Sequence, residues 1–238
     1  MNCEEIIKKL EALKNPKNVE GMARFGIRPL TKVYGVSIPE LRKIAKIIGK
    51  NHKLALKIWD SKIHEARILA GMIAVPEEMT ISQIKKWVGG FDSWDVCDQV
   101  CMNLFSKSIA ARNQISKFAE SKEEFVKRTA FALVAALSVH DKKMEDKDFI
   151  EFFPLIKKAA TDKRNFVKKA VNWALRQIGK RNKKLNKEAI EVAREILQLS
   201  QKIYPHTKVS AETYDVGAKW IANDAIRELV SLNVQKKL

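Results

Sequence analysis

Trp94 and Asp98 place a large aromatic ring and a carboxylate four residues apart, on one face of an expected helix. Phe91-Asp92-Ser93 is an N-cap signal, and the helix it opens runs to about Phe105. Val96, Cys97, Val100, Cys101 and Leu104 form the apolar stripe of that helix. Trp94, Asp98 and Phe105 form a line beside the stripe, so the ring and the carboxylate flank the core and remain reachable. A carboxylate so placed can stabilise positive charge or position a water molecule. An aspartate near a helix N-terminus also suits the helix dipole without any chemistry.

Other chemistries find little support. His52, His64, His140 and His206 are scattered, and none forms a His-Glu-x-x-His pair. Cys97 and Cys101 have helix-face spacing with no second ligand pair, so neither zinc nor another metal is expected. Gly89-Gly90 reads as a helix stop, and no phosphate-binding loop or dinucleotide fingerprint occurs. The three cysteines are odd in number and read as reduced thiols of a cytosolic, cytoplasmic protein.

Two further features stand out. Arg128 lies in a helix, Glu123 to Leu137, that is apolar almost all round. A charge there must be paired or must face a groove, which leaves a buried ion pair and a phosphate contact as equal readings. The segment 157–187 is strongly basic, with Asp162 its only acid. Within it the helix Asn165 to Arg181 carries Lys169, Trp173, Arg176 and Lys180 on a stripe beside its core face. An indole edged by cations could touch a nucleotide, but taken alone it fits better as a Trp that covers the rim of the core under lysine stems.

These residues must be held by helices. Glycine and proline number only 9 and 6 in 238 residues, and alternating strand patterns are almost absent. Helices are expected over Cys3 to Leu13, Val19 to Phe25, Ser37 to Gly49 with a Ser37…Glu40 capping box, and from His52 to Trp59-Asp60-Ser61. A helix with Glu65 and Arg67 follows and ends near Pro76, and Thr80 caps another. Beyond the Trp94 helix come Lys107 to Phe118, Glu123 to Leu137, Asp146 to Ala160, Asn165 to Arg181, Asn186 to Ile203 and Ser210 to Leu232. The fold class is all-α. Paired helices without a linker point to one helical-repeat, HEAT-like domain over residues 1–238, a solenoid with a concave basic face. A hydrophobic fraction of 46% supports a sizeable core, and no apolar run is long enough for a membrane span. The N-terminus has no signal-peptide pattern. A net charge of +17 favours a polyanionic partner, nucleic acid before an acidic membrane.

Taken together, these segments resemble the AlkD-like DNA glycosylases, the HEAT-repeat DNA alkylation repair family. The similarity runs from Tyr34-Gly35-Val36-Ser37-Ile38-Pro39-Glu40-Leu41-Arg42, through Ile58-Trp59-Asp60-Ser61 and His64-Glu65-Ala66-Arg67, to Trp94-Asp95-Val96-Cys97-Asp98. It continues in Lys127-Arg128-Thr129-Ala130 and in the stretch from Phe166 to Arg176. The resemblance implies that Trp94 and Trp173 cradle the lesion nucleotide, that Asp98 is the catalytic carboxylate and that Arg128 holds a phosphate. It implies removal of cationic N3- and N7-alkylpurines without a deep base pocket. The family's N-terminal duplex contacts fall nearest Arg24 and Phe25.

The chemistry follows. An N3- or N7-alkylated purine is already cationic and leaves as a neutral base, so little general-acid help is needed. The sugar becomes oxocarbenium-like, and Asp98 stabilises that charge while the indoles favour a cation. The expected protein is a monomeric, monofunctional glycosylase acting on duplex DNA with alkylated purines, without metal, cofactor or membrane. Lys169, Arg176 and Lys180 are its expected DNA contacts beside Arg128. The alternatives are a non-catalytic binder of bent or branched DNA and a protein-binding solenoid.

Overall fold

The computed structural model describes residues 1–202 and 211–238, and the side chains of 1–200 and 216–238. The expected ends at Ile203 and Ser210 lie outside the described residues. The described chain is helical, with no strand beyond a single parallel bridge between Lys32 and Ile63. It forms two compact units, Met1–Asn113 and Gln114–Leu238.

Unit 1 holds α1 (Cys3–Ala12), α2 (Pro16–Arg24), α3 (Ile38–Ile48), α4 (His52–Trp59), α5 (His64–Ile73), α6 (Ile81–Gly89), α7 (Trp94–Asn103) and the short α8 (Ile109–Arg112). Capping residues define several starts. Asn2 and Glu5 form a capping box on α1, and Thr80 and Gln83 form one on α6. The side chains of Asn15 and Asn51 cap α2 and α4. The Ser37…Glu40 box expected on α3 is not made: Ser37 gives no side-chain cap bond, and Glu40 turns to Lys43 at 2.6 Å. The core runs along α5, which is buried on nearly every side and packs against α3, α4 and α7. Gly71 permits the approach of α7, because a Cβ there would stand 3.0 Å from a methyl of Val100.

Unit 2 holds α9 (Ile115–Ala119), α10 (Glu124–His140), α11 (Asp146–Ile150), α12 (Phe153–Ala159), α13 (Asn165–Gly179), α14 (Lys183–Lys202), α15 (Ala211–Leu229) and α16 (Leu232–Gln235). Its centre is α10, buried from Arg128 to Ser138 and packed between α9 and α13. Next to α13 lie α14 and α15. Val167, Ala170, Val171, Ala174, Leu175 and Ile178 are all fully buried, as their helical spacing requires.

Two expected helices are each broken in two. The stretch Lys107 to Phe118 splits into α8 and α9, with Ser108 capping the first and Arg112 Nε donating to the Ser106 carbonyl at 2.9 Å. The stretch Asp146 to Ala160 splits into α11 and α12 because Pro154 lacks an N–H and clashes with the preceding turn.

Candidate functional site

In unit 1 the site begins with the first turn of α5. His64, Glu65 and Arg67 are polar, yet all three are buried. Buried charge must be paired, and each of these finds a different partner. Glu65 accepts from the backbone N–H of Tyr34 at 3.0 Å and of Gly35 at 2.6 Å. This holds the strand-like segment that leads into α3. Arg67 donates to Asp92 Oδ1 at 2.8 Å and to the Gly90 carbonyl, and lies over the Trp59 ring at 4.6 Å. Trp59 in turn stacks on Trp87 at 4.1 Å. His64 Nε2 meets Asp95 Oδ2 at 2.7 Å. Together Arg67 and His64 fasten the loop before α7 and its first turn. The start of α7 is therefore set by α5.

Burial works to raise the Asp95 pKa, but the bonds from His64, the Ser93 hydroxyl and the Val96 amide outweigh it and hold the carboxyl below its ordinary value. Burial lowers the Arg67 guanidinium despite the neighbouring Asp92 and Asp95.

The α7 helix then presents what its spacing implies. Val96, Cys97, Val100, Cys101 and Leu104 are fully buried. Trp94 is half-buried, and its Nε1 donates to the Phe25 carbonyl at 3.0 Å. Asp98 is 9% exposed, so it is less open than the flank position suggests. Phe105 does not continue the line: it is fully buried in a 3-10 turn after α7, because the helix ends at Asn103.

Trp94 and Asp98 share one cavity of about 490 Å³. Its walls come from α2, the start of α3, the first turn of α5 and the first turns of α7. Met22, Phe25, Ile27, Ile38 and Ile68 make them apolar, and His64, Glu65, Asp95 and Asp98 supply the polar groups. Arg24 and Phe25, the expected N-terminal contacts, sit at the end of α2, where Phe25 is 71% exposed.

Unit 2 carries the other expected site residues. Arg128 is buried and donates from Nη1 to the carbonyl of Phe166 in the first turn of α13. The Phe125 and Phe166 rings stack beside it at 5.6 Å. Asp162 binds Lys127 at 3.1 Å and the guanidinium of Arg164, which bring its pKa down to about 2 against the opposing effect of burial.

On α13 itself, Lys169 is exposed and Trp173 is half-buried. With the Gln177 amide turned to suit its neighbours, its oxygen accepts from Trp173 Nε1 at 3.1 Å and from Lys180 Nζ at 3.2 Å. Arg176 and Lys180 do not simply face solvent. Lys180 binds Glu228 at 2.7 Å, and Arg176 reaches Glu228 and, at 3.5 Å, Asp224, both on α15. Burial opposes ionisation of Glu228, but these two cations keep its carboxyl below the ordinary range.

The sequence reading missed the roles of His64, Glu65, Arg67 and Asp95. Their signal was present: three polar residues open a helix that is otherwise apolar, the same anomaly that singled out Arg128.

Unit 1 is thus a buried helical framework with an aromatic–carboxylate pair on a cavity wall, and unit 2 carries a basic helix. The chain matches the DNA alkylation repair enzyme family over residues 6–228 and belongs to that family. It is 29% identical over 128 residues to an uncharacterized protein of Listeria innocua, covering 52% of this chain and 57% of that one. It is 32% identical over 95 residues to an uncharacterized protein of Listeria monocytogenes, covering 38% and 42%. The chain thus spans about half the length of these relatives. Among solved structures it resembles, with a TM-score of 0.72 and 23% identity over 82% of this chain and 83% of the other, a protein described under "a new family of proteins related to the HEAT-like repeat DNA glycosylases with affinity for branched DNA structures". The fold is therefore all-α and HEAT-like. Among the described residues no helix is long and apolar enough to cross a membrane, and no three His, Cys, Asp or Glu side chains are grouped to hold a metal.

Proposed function

We propose that this protein is a monofunctional DNA glycosylase that releases cationic N3- or N7-alkylpurines from duplex DNA. The observation that carries the reading is the pairing of Trp94 and Asp98 on one cavity wall, in a chain of the DNA alkylation repair family. The C1′–N bond breaks with its electron pair going to the cationic base, which leaves neutral. Positive charge moves to the sugar. Asp98, nearly enclosed, stabilises that charge more strongly than an exposed carboxylate would and orients water toward C1′. Water adds its oxygen to C1′, and its proton passes by way of the carboxylate to solvent. Trp94, with Trp173 as its expected counterpart, favours the cationic sugar and limits bulk water. Arg128, Lys169, Arg176 and Lys180 are assigned to phosphates.

The test is incubation with duplex DNA containing N7-methylguanine, assayed for base release. Asp98→Asn keeps the shape and removes the charge. Loss of a charge-stabilising group typically costs about 10²–10³ in rate. We expect slow excision, normal folding and duplex binding that is equal or tighter. Wild-type excision by Asp98→Asn would remove the carboxylate from the mechanism.

A second reading, non-catalytic binding of branched DNA, is favoured by the description of the structural relative. It predicts no base release by the wild type, with salt-sensitive affinity for a four-way junction.

A further inference from the structure

We propose that Trp220 and Lys168, on the outer face of the α13–α15 pair in unit 2, form a stacking platform for an unpaired nucleobase in a single-stranded arm of DNA. The proposal rests on the reading of this chain as a DNA-binding protein, which the glycosylase and branched-DNA readings share. It concerns two residues to which neither reading gives a role.

The position of the indole comes first. Ala218, Ile221, Ala222 and Ala225 form the buried stripe of α15. Trp220 stands two places from both Ala218 and Ala222, and residues two apart point to opposite sides of a helix. The indole is therefore turned away from the core and is 39% exposed. Val216 and Asn223, about one turn to either side, are exposed with it. A Trp that covers the rim of the core would not sit there. The neighbouring α13 runs alongside in register: Lys168 meets Trp220, Asn172 meets Asp224 at 2.7 Å, and Arg176 meets Glu228. Lys168 Nζ lies 5.1 Å from the centre of the Trp220 ring. Its stem crosses Gly217, where a Cβ would stand 3.6 Å from the lysine Cδ. The ring keeps its exposure with this cation already over it.

Charge then narrows the occupant. Further along the two helices, Arg176 and Lys180 are held by Asp224 and Glu228, and Arg227 is held by Asp224. Around Trp220 the balance differs. Among the described residues no acid pairs with Lys168, Lys169 or Lys219. A phosphate is attracted there and opposed where the acids stand. The indole calls for a second flat ring. Bases inside a duplex are stacked on one another, whereas an unpaired base offers its own face, whatever its identity. An acidic peptide would meet the lysines and leave the indole open. An apolar partner would cover the indole and leave the lysines unmet. A single-stranded arm meets both, with a base on Trp220 and its phosphates on the lysines around it.

The experiment titrates the full chain, by fluorescence anisotropy at one salt concentration, into a blunt duplex and into the same duplex extended by an unpaired thymine arm. The wild type should prefer the armed duplex. Trp220→Ala should weaken binding of the armed duplex about five- to hundredfold more than that of the blunt one, the range of base–aromatic stacking. Trp220→Phe keeps an aromatic face and should recover most of the preference. The arm should also quench the tryptophan fluorescence of the wild type more than that of Trp220→Phe, which a purely electrostatic contact would not do. Both variants should melt with the wild type, because the ring faces away from the core. Equal binding of the two DNAs by the wild type, or an unchanged preference in Trp220→Ala, would overturn the proposal and leave DNA binding in place. A dimer that Trp220→Ala dissolves, with both DNA affinities unchanged, would assign this face to a second copy of the chain and overturn the proposal as well. No salt-sensitive binding of either DNA would remove the DNA-binding reading and the platform with it.

Discussion

Asp162 is the residue whose ionisation matters most clearly to stability. It is the single acid of the segment 157–187 and holds Lys127 and Arg164. Its folded pKa of about 2 lies below the ordinary 3.8. A depressed carboxylate contributes stability above its unfolded pKa, and that contribution is lost as pH falls through the folded value. Unit 2 should therefore lose stability between about pH 4 and pH 2, and Asp162→Asn should lower the melting temperature at neutral pH while flattening that acid dependence. A melting curve series against pH checks both; an unchanged acid slope would remove Asp162 as its source. Asp95 works in the same direction in unit 1, where His64 is its partner. The charge of Asp162 was visible in the sequence as an exception within a basic run. That it gathers Lys127 of α10 from the turn between α12 and α13 was not visible, because the two lie 35 positions apart.

At the scale of elements, the site depends on α5 more than on α7. Local signals placed the start of α7, its apolar stripe and the Trp94–Asp98 spacing, although Ser93 makes no side-chain cap bond and donates to Asp95 instead. What orients the first turn of α7 is His64 with Arg67, which act through space, while Glu65 holds the segment before α3. Glu65→Gln keeps the shape but weakens the bonds from the Tyr34 and Gly35 amides. A poorly satisfied buried donor costs about 1–3 kcal/mol, so the variant should unfold at lower denaturant concentration by that order. Gly35 is the second sensitive point. Its φ is +77°, and a Cβ there would stand 2.3 Å from the Asn15 carbonyl oxygen. Gly35→Ala should cost at least roughly 1–2 kcal/mol from backbone conformation alone, with the clash added. Gly21→Ala, inside α2 and facing open space, should instead stabilise by about 0.5–1 kcal/mol. Chemical denaturation of the pair measures the contrast; equal effects would mean that neither backbone environment matters.

For the molecule as a whole, a net charge of +17 governs encounter with a polyanion. Duplex affinity should fall steeply and linearly on a log–log plot against salt. The contributions of the α13 stripe should be unequal. Lys169 is exposed, whereas Arg176 and Lys180 are already engaged by Glu228. Lys169→Glu should therefore weaken binding to any duplex more than Lys180→Glu does. Glu228→Gln should release Lys180 and loosen Arg176, which keeps Asp224, and so tighten duplex binding and steepen its salt dependence, with some loss of stability. Binding isotherms at several salt concentrations test this; unchanged affinity in both Lys169→Glu and Glu228→Gln would place the DNA contacts off this helix.

The amino-acid sequence alone determined the helical class, most helix limits, the buried stripes of α7 and α13 and the Trp94–Asp98 pairing. Each of these follows from periodicity or capping within one or two turns, where the chain's own geometry decides which side chains meet. Tertiary structure decided the rest. The partnering of Arg176 and Lys180 with α15 joins residues 52 and 48 positions apart. The His64–Asp95 and Glu65–Gly35 bonds join residues about thirty positions apart, and the cavity draws its walls from four helices. A basic residue looks the same in sequence whether it meets a phosphate or a carboxylate. Only packing brings the competing acid within reach, and only packing leaves a cavity beside Asp98.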